Sequence, residues 1–169
     1  MVGAAERASG LADELTARMA GVRARAARRP RRPKVFFEEW DEPLISGIGW
    51  VSELIGIAGG KDCFAELAAG TLARERIVEP DAVAGRRPDI IIGSWCGRRF
   101  RPEKVARRPG WSELPAVLDG EVHEIKSALI LQPGPAALTD GLAVLERIIG
   151  GWATRLRLDL PESARLEDR

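Results

Sequence analysis

The sequence predicts an α/β fold: a mostly parallel sheet with flanking helices, preceded by a long amphipathic helix. Three observations carry that reading. Short apolar runs of strand type (KVFFEEW, DIIIGSW and EVHEIK) recur along the chain. Stretches with a 3.6-residue apolar period separate them, and strands alternating with helices build parallel sheets through crossover connections. The third observation is DIIIGSW itself. Its three consecutive isoleucines, Ile90 to Ile92, suit burial on both faces, as a central parallel strand requires.

From Ala4 to about Ala27, residues Leu11, Leu15, Met19 and Val22 fall on one helical face with charges opposite. Pro30 and Pro33 stop that helix. The arginines Arg28, Arg29, Arg31 and Arg32 read as a solvated linker at a helix C-terminus, where positive charge suits the macrodipole. Binding of phosphates or anionic lipid is the sharper alternative. KVFFEEW is a buried strand. In SGIGWVSELIGIAGG, Ser46 is the expected N-cap of a helix with a stripe through Ile48, Val51, Leu54 and Ile55, ended by Gly59 and Gly60. RIVE is a weak strand, and PDAVAGRRP a short helix bounded by Pro80 and Pro88. RPEKVARRPGWSEL holds another short helix and a break at Pro109–Gly110. After the strand EVHEIK, a final helix starts near Pro135 and lines up Leu138, Leu142, Leu145 and Ile149. The polar end RLRLDLPESARLEDR is expected to fray. These elements divide into a helix and Pro/Arg linker (1–33), an α/β lobe (34–155) and a polar tail (156–169).

The 169 residues, 45% hydrophobic and 30% charged, suffice for one core. A net charge of +1 argues against a general nucleic-acid binder. No run approaches the roughly 20 apolar residues of a membrane-spanning helix. Glu6, Asp13 and Glu14 occupy the place where a secretory signal needs its apolar core, so no export signal is expected. Two cysteines, Cys63 and Cys96, make no disulfide framework, although a single bridge between them is open.

In an open parallel sheet, ligands collect beyond the carboxyl ends of the strands. Three loops leave those ends: Glu38 to Pro43, Ser94 to Gly97, and Lys126 to Pro135. Together they place Trp40 and Trp95, acidic groups, one thiol and one lysine on one rim. A tryptophan there offers a flat apolar surface to a ring-shaped ligand, against the plainer alternative that it plugs the sheet edge. Cys96, followed by a glycine, faintly matches a nucleophile turn, with His123 as the only available base. However, His123 sits inside a strand pattern, where its side chain faces a helix or solvent. A zinc site from Cys96, His123 and a rim carboxylate lacks ligand spacing. The sequence has no phosphate loop, and Gly47-x-Gly49 alone makes no dinucleotide fingerprint.

Three segments, KVFFEEWDEPLISGIGWVSELIGIAGGKDCF, RRPDIIIGSWCG and VHEIKSALILQPGPAALTDGLAVLERI, give the chain a family likeness. From about Pro33 to Trp152 it resembles the cobalamin-binding subgroup of ABC-importer substrate-binding proteins, relatives of iron–siderophore and haem-binding proteins. The resemblance implies two α/β lobes joined by a long helix, with ligand in the cleft between them. This chain would then supply the end of the interlobe helix and the carboxyl-terminal lobe, without the amino-terminal lobe. It also implies a non-enzymatic, extracytoplasmic carrier, although the chain as written would stay in the cytoplasm.

Carried over by position, the ligand-facing residues are Glu39, Trp40, Asp41, Ser94, Trp95, Cys96, Lys126, Ser127 and Gln132. Trp40 and Trp95 would lie against the corrin face. The resemblance implies no protein ligand to the metal and no catalytic cofactor, with a corrinoid as the transported ligand. It further implies an ABC permease partner, docked through a carboxylate on each lobe. The stretch Leu129 to Gln132 offers none, which leaves Glu42 or Asp41. A siderophore or haem carrier is the alternative, with Arg98, Arg99 and Arg101 facing a polyanion. A Cys96-dependent enzyme is the distant one.

Overall fold

Helix α1 (Val2–Ala27) opens the computed structural model, which describes residues 2–158. Its apolar stripe is buried only toward the C-terminal end. Val22 and Ala26 lie inside the core and Met19 packs on it, whereas Leu11 is 47% exposed. Past Pro33 the chain enters strand β1 (Lys34–Asp41), and a turn with a cis Glu42–Pro43 peptide returns it as β2 (Leu44–Ser46). Helix α2 (Gly49–Ile57) follows, then the two-residue strand β3 (Lys61–Asp62). Three short helices, α3 (Pro80–Arg86), α4 (Pro102–Ala106) and α5 (Pro115–Leu118), each start on a proline, whose fixed φ suits the first helical turn. Strand β4 (Ile90–Gly93) lies between α3 and α4, and β5 (Val122–Glu124) follows α5. Helix α6 (Ser127–Ile130) and a π-helical turn, Ala137–Gly141, lead into α7 (Leu142–Leu158). The polar end expected to fray from Arg155 continues as helix α7 to Leu158, and the rest of it lies outside the described residues.

Strand β1 is the hub of the sheet. One of its edges takes β4 in parallel, and β4 takes β5 in parallel. The other edge is divided: β3 pairs in parallel with its start and β2 antiparallel with its end, across a bulge between Glu38 and Trp40. The mostly parallel sheet is the one expected, with β2 as an antiparallel addition. Alternation along β1 and β4 then separates two cores. Val35, Phe37, Ile90 and Ile92 face α1, α2 and α7, where Val22, Leu54, Leu145 and Ile149 meet them. Phe36 and Ile91 face the opposite side, against Val83, Val105, Trp111 and Leu114. No described helix is long and apolar enough to cross a membrane.

Local readings are corrected in two places. Ser46 is no N-cap: it ends β2, its hydroxyl donates to the Arg76 carbonyl at 3.2 Å, and α2 starts three residues later from Ile48 without a side-chain cap. The hairpin takes up the residues that would have capped the helix. RIVE is not a strand either. Arg76 closes a 3₁₀ turn, and Ile77 makes a single bridge to Ile45. The arginine linker is partly structural, because Arg29 donates to the Ala58 carbonyl at 2.6 Å and Arg32 to that of Gly60 at 2.8 Å. Those carbonyls are the open end of α2, which side-chain donors satisfy.

Candidate ligand-binding rim

The carboxyl ends of β1, β4 and β5 lie side by side, so their three loops share one end of the sheet. The last residues of β1, with Glu42 just beyond it, carry four carboxylates that point different ways. Glu38 is buried and accepts hydrogen bonds from Arg108 Nη1 at 2.6 Å, Arg108 Nη2 at 2.8 Å and Trp95 Nε1 at 2.9 Å. Burial pushes the Glu38 carboxyl above its ordinary value, against the pull of Arg108. The Asp41 side chain is fully enclosed and paired twice, with Arg98 at 2.8 Å and Lys104 at 2.9 Å. Lys104 also reaches Glu42 at 3.0 Å, and its hydrogen bonds to these two carboxylates raise its pKa. Glu39 pairs instead with the buried Arg76, at 2.7 Å, and Arg76 donates as well to the Ser46 carbonyl.

Arg98 joins the two aromatic loops. Its guanidinium lies 5.4 Å from the centre of the Trp40 ring and 5.9 Å from that of Trp95, within cation–π range. Trp95 packs edge-on against Phe100 at 5.0 Å and is only 5% exposed. Trp40 is half-buried, with its N–H donated to the Glu42 carbonyl at 2.9 Å. Above them Trp95, Arg98, Arg99, Arg101 and Lys104 line a depression of about 360 Å³. A second depression of about 510 Å³ adjoins it at Arg101 and Lys104. Arg99 and Arg101 are exposed, and among the described residues no carboxylate pairs with either.

Of the residues singled out from the sequence, the structure gathers Trp40, Asp41 and Trp95 around Arg98. Glu39 is engaged elsewhere, on Arg76. Ser94 is fully buried and its hydroxyl has no hydrogen-bond partner. Cys96 is exposed at the loop, Cys63 is buried, and the two are not bridged. Lys126 pairs with Glu124 at 2.6 Å, Ser127 opens α6, and Gln132 lies exposed beyond it. His123 is level with Ile92 in the sheet, and its Nε2 lies 2.6 Å from Glu121 Oε2. It borders a groove against α7, where burial and then Arg147 lower its pKa. Among the described residues no three His, Cys, Asp or Glu side chains group to hold a metal ion. Sequence reading passes over Arg76, Lys104 and Arg108, and gives Glu38 no part beyond its place in the first loop. The one available signal was the excess of acidic residues ending an apolar strand, which asks for basic partners inside.

The sequence matches the family model described as periplasmic binding protein over residues 1–129. No curated protein matches it. Among solved structures the fold is similar to an ABC transporter substrate-binding protein from Listeria monocytogenes EGD-e, with a TM-score of 0.71 and 18% identity over 85% of this chain and 57% of that one. It is also similar to a periplasmic heme-binding protein from Roseiflexus sp. RS-1 (TM-score 0.64, 20% identity, 85% of this chain, 57% of that one). A third is the periplasmic vitamin B12 binding protein of Vibrio cholerae (TM-score 0.59, 20% identity, 81% of this chain, 51% of that one). The chain thus spans little more than half the length of these solved structures.

Proposed function

The chain belongs to the periplasmic binding protein family, and from that premise we propose that it forms one ligand-holding lobe of an ABC importer's solute-binding protein, acting outside the cytoplasmic membrane. The ligand we infer is an anionic metal chelate, a ferric siderophore or haem. One observation carries this: Arg99 and Arg101 stand at the strand-end depression without acidic partners, beside Arg98 and Lys104. Guanidiniums favour carboxylate or catecholate oxygens, which they bind in bidentate fashion. Asp41 and Glu42 together balance Arg98 and Lys104, leaving the outer two arginines to the ligand.

A corrinoid is the second reading, and the half-exposed Trp40 indole favours it as a flat contact for a macrocycle. Under either reading Glu42, not Asp41, is the carboxylate proposed to face a permease. Glu42 is 73% exposed, whereas Asp41 is enclosed. No catalytic cofactor enters this proposal. Calorimetric titration of the chain with a ferric tris-catecholate, haemin and cyanocobalamin tests it. The anionic chelates should bind more tightly than cobalamin, and Arg99→Gln/Arg101→Gln should weaken them by about tenfold or more. Tighter cobalamin binding, lost in Trp40→Ala and kept in the arginine variant, would instead establish the corrinoid reading.

A further inference from the structure

Opposite the rim, at the amino ends of the parallel strands, the charge of the molecule is strongly segregated. Residues 15–37 contain eight basic side chains and no acidic one, in a chain whose net charge is +1, so the remainder carries a net negative charge. Packing then sorts the six arginines between Arg23 and Arg32 into two sets. Arg25 is held by Glu146, while Arg29 and Arg32 are committed to the carbonyl end of α2. Arg23, Arg28 and Arg31 remain exposed. Among the described residues no carboxylate pairs with these three, and none makes a side-chain hydrogen bond; Arg31 only approaches the Trp152 ring, at 5.9 Å. Arg23 edges a groove of about 540 Å³ whose one acidic lining residue is Glu53.

We propose that this basic end docks on an anionic phospholipid bilayer. A bilayer asks only for several cations presented together at one surface, and each adds to the attraction within a Debye length. Nucleic acid fits less well. Stacking of bases needs exposed aromatic rings, and the aromatic at this end, Trp152, is buried. The proposal is independent of the rim and stands whichever ligand the rim takes.

Co-sedimentation of the full chain with phosphatidylcholine vesicles, with and without a third of phosphatidylglycerol, tests it. Binding is expected only to the anionic vesicles, falling as salt is raised. Arg23→Gln/Arg28→Gln/Arg31→Gln should weaken it by about a hundredfold while keeping the wild-type Tm. Arg74→Gln, an exposed arginine outside the patch, should bind as wild type. Equal binding to neutral vesicles, no binding to either kind, or full binding by the triple variant would each overturn the proposal. So would capture of a single-stranded oligonucleotide in place of vesicles.

Discussion

The indole N–H of Trp95 donates to Glu38 Oε1 at 2.9 Å, on a carboxylate whose two oxygens already receive both prongs of Arg108. Glu38 is therefore the buried post to which the loop after β4 and the residues after α4 are both tied, 57 and 70 positions away in sequence. Removing one partner of such a pair leaves an uncompensated buried charge, at about 3–5 kcal/mol. Arg108→Met is expected to lose stability on that scale in urea unfolding, and Glu38→Gln/Arg108→Met to recover much of it. The pH dependence has a definite sign. Burial raises the folded-state pKa of Glu38, so the folded state holds its proton longer than the unfolded chain does. The Arg108→Met deficit should accordingly grow as pH rises through the raised wild-type value of Glu38, above the ordinary 4.5, and shrink below it. A pH-independent deficit would mean that Arg108 matters through packing alone.

Gly93 closes β4 beneath the same loop. A Cβ built there would stand 1.9 Å from Phe100 Cε2 and 2.2 Å from its Cδ2, inside the ring that braces Trp95. Overpacking of a tight core costs about 1–3 kcal/mol, and more where the neighbour has nowhere to go. Gly93→Ala should lose at least that much in thermal unfolding. Phe100→Leu placed in the same chain should restore part of it. An unperturbed Gly93→Ala would show that the Phe100 ring has room to swing away.

How much of this was legible beforehand depends on the range of the interaction. The three isoleucines of β4 are one apolar run, and Leu142 and Leu145 of α7 keep a helical period; both are buried, and both are local patterns that a sequence displays. The hairpin to β2 escaped notice because DEP reads as a plain loop, so Ser46 looked like a cap when it is a strand end. The rim itself was half legible. Strand-end position located Trp40, Asp41 and Trp95, but nothing local tells that Trp95 turns inward to Glu38 while Arg99 and Arg101 stay outside. Those orientations are set by Arg108 and Phe100, which no short motif links to the loop.

The two cysteines should behave very differently. Burial pushes the Cys63 thiol up to about 12, while Cys96 is exposed. Thiolate is the reactive form, so a maleimide at pH 8 should modify Cys96 alone in the folded protein and both thiols in denaturant. Mass spectrometry of the labelled peptides reads this directly. The same labelling rate decides the Cys96-dependent enzyme: a Cys96 no faster than a free thiol has no activated nucleophile to offer.

Arg25 and Glu146 fasten α1 to α7 through two hydrogen bonds of 2.7 and 2.9 Å. The pair is partly open to solvent, 59% and 20% exposed, so its contribution is small. The hydrogen bond from Arg25 holds the Glu146 carboxyl below its ordinary value. A depressed carboxylate stabilises the fold above the unfolded value of about 4.5, and that stability disappears as pH falls through the lower, folded value. Glu146→Gln should thus melt slightly below wild type at pH 7, and the gap should close as the buffer is taken well below pH 4. Hydrogen exchange supplies the structural half of the test. Exchange in α1 near Val22 should quicken in Glu146→Gln at pH 7, because that is where the helix is anchored. A gap that persisted in acid would place the effect of Glu146 in packing beside Met19, Val22 and Ala26.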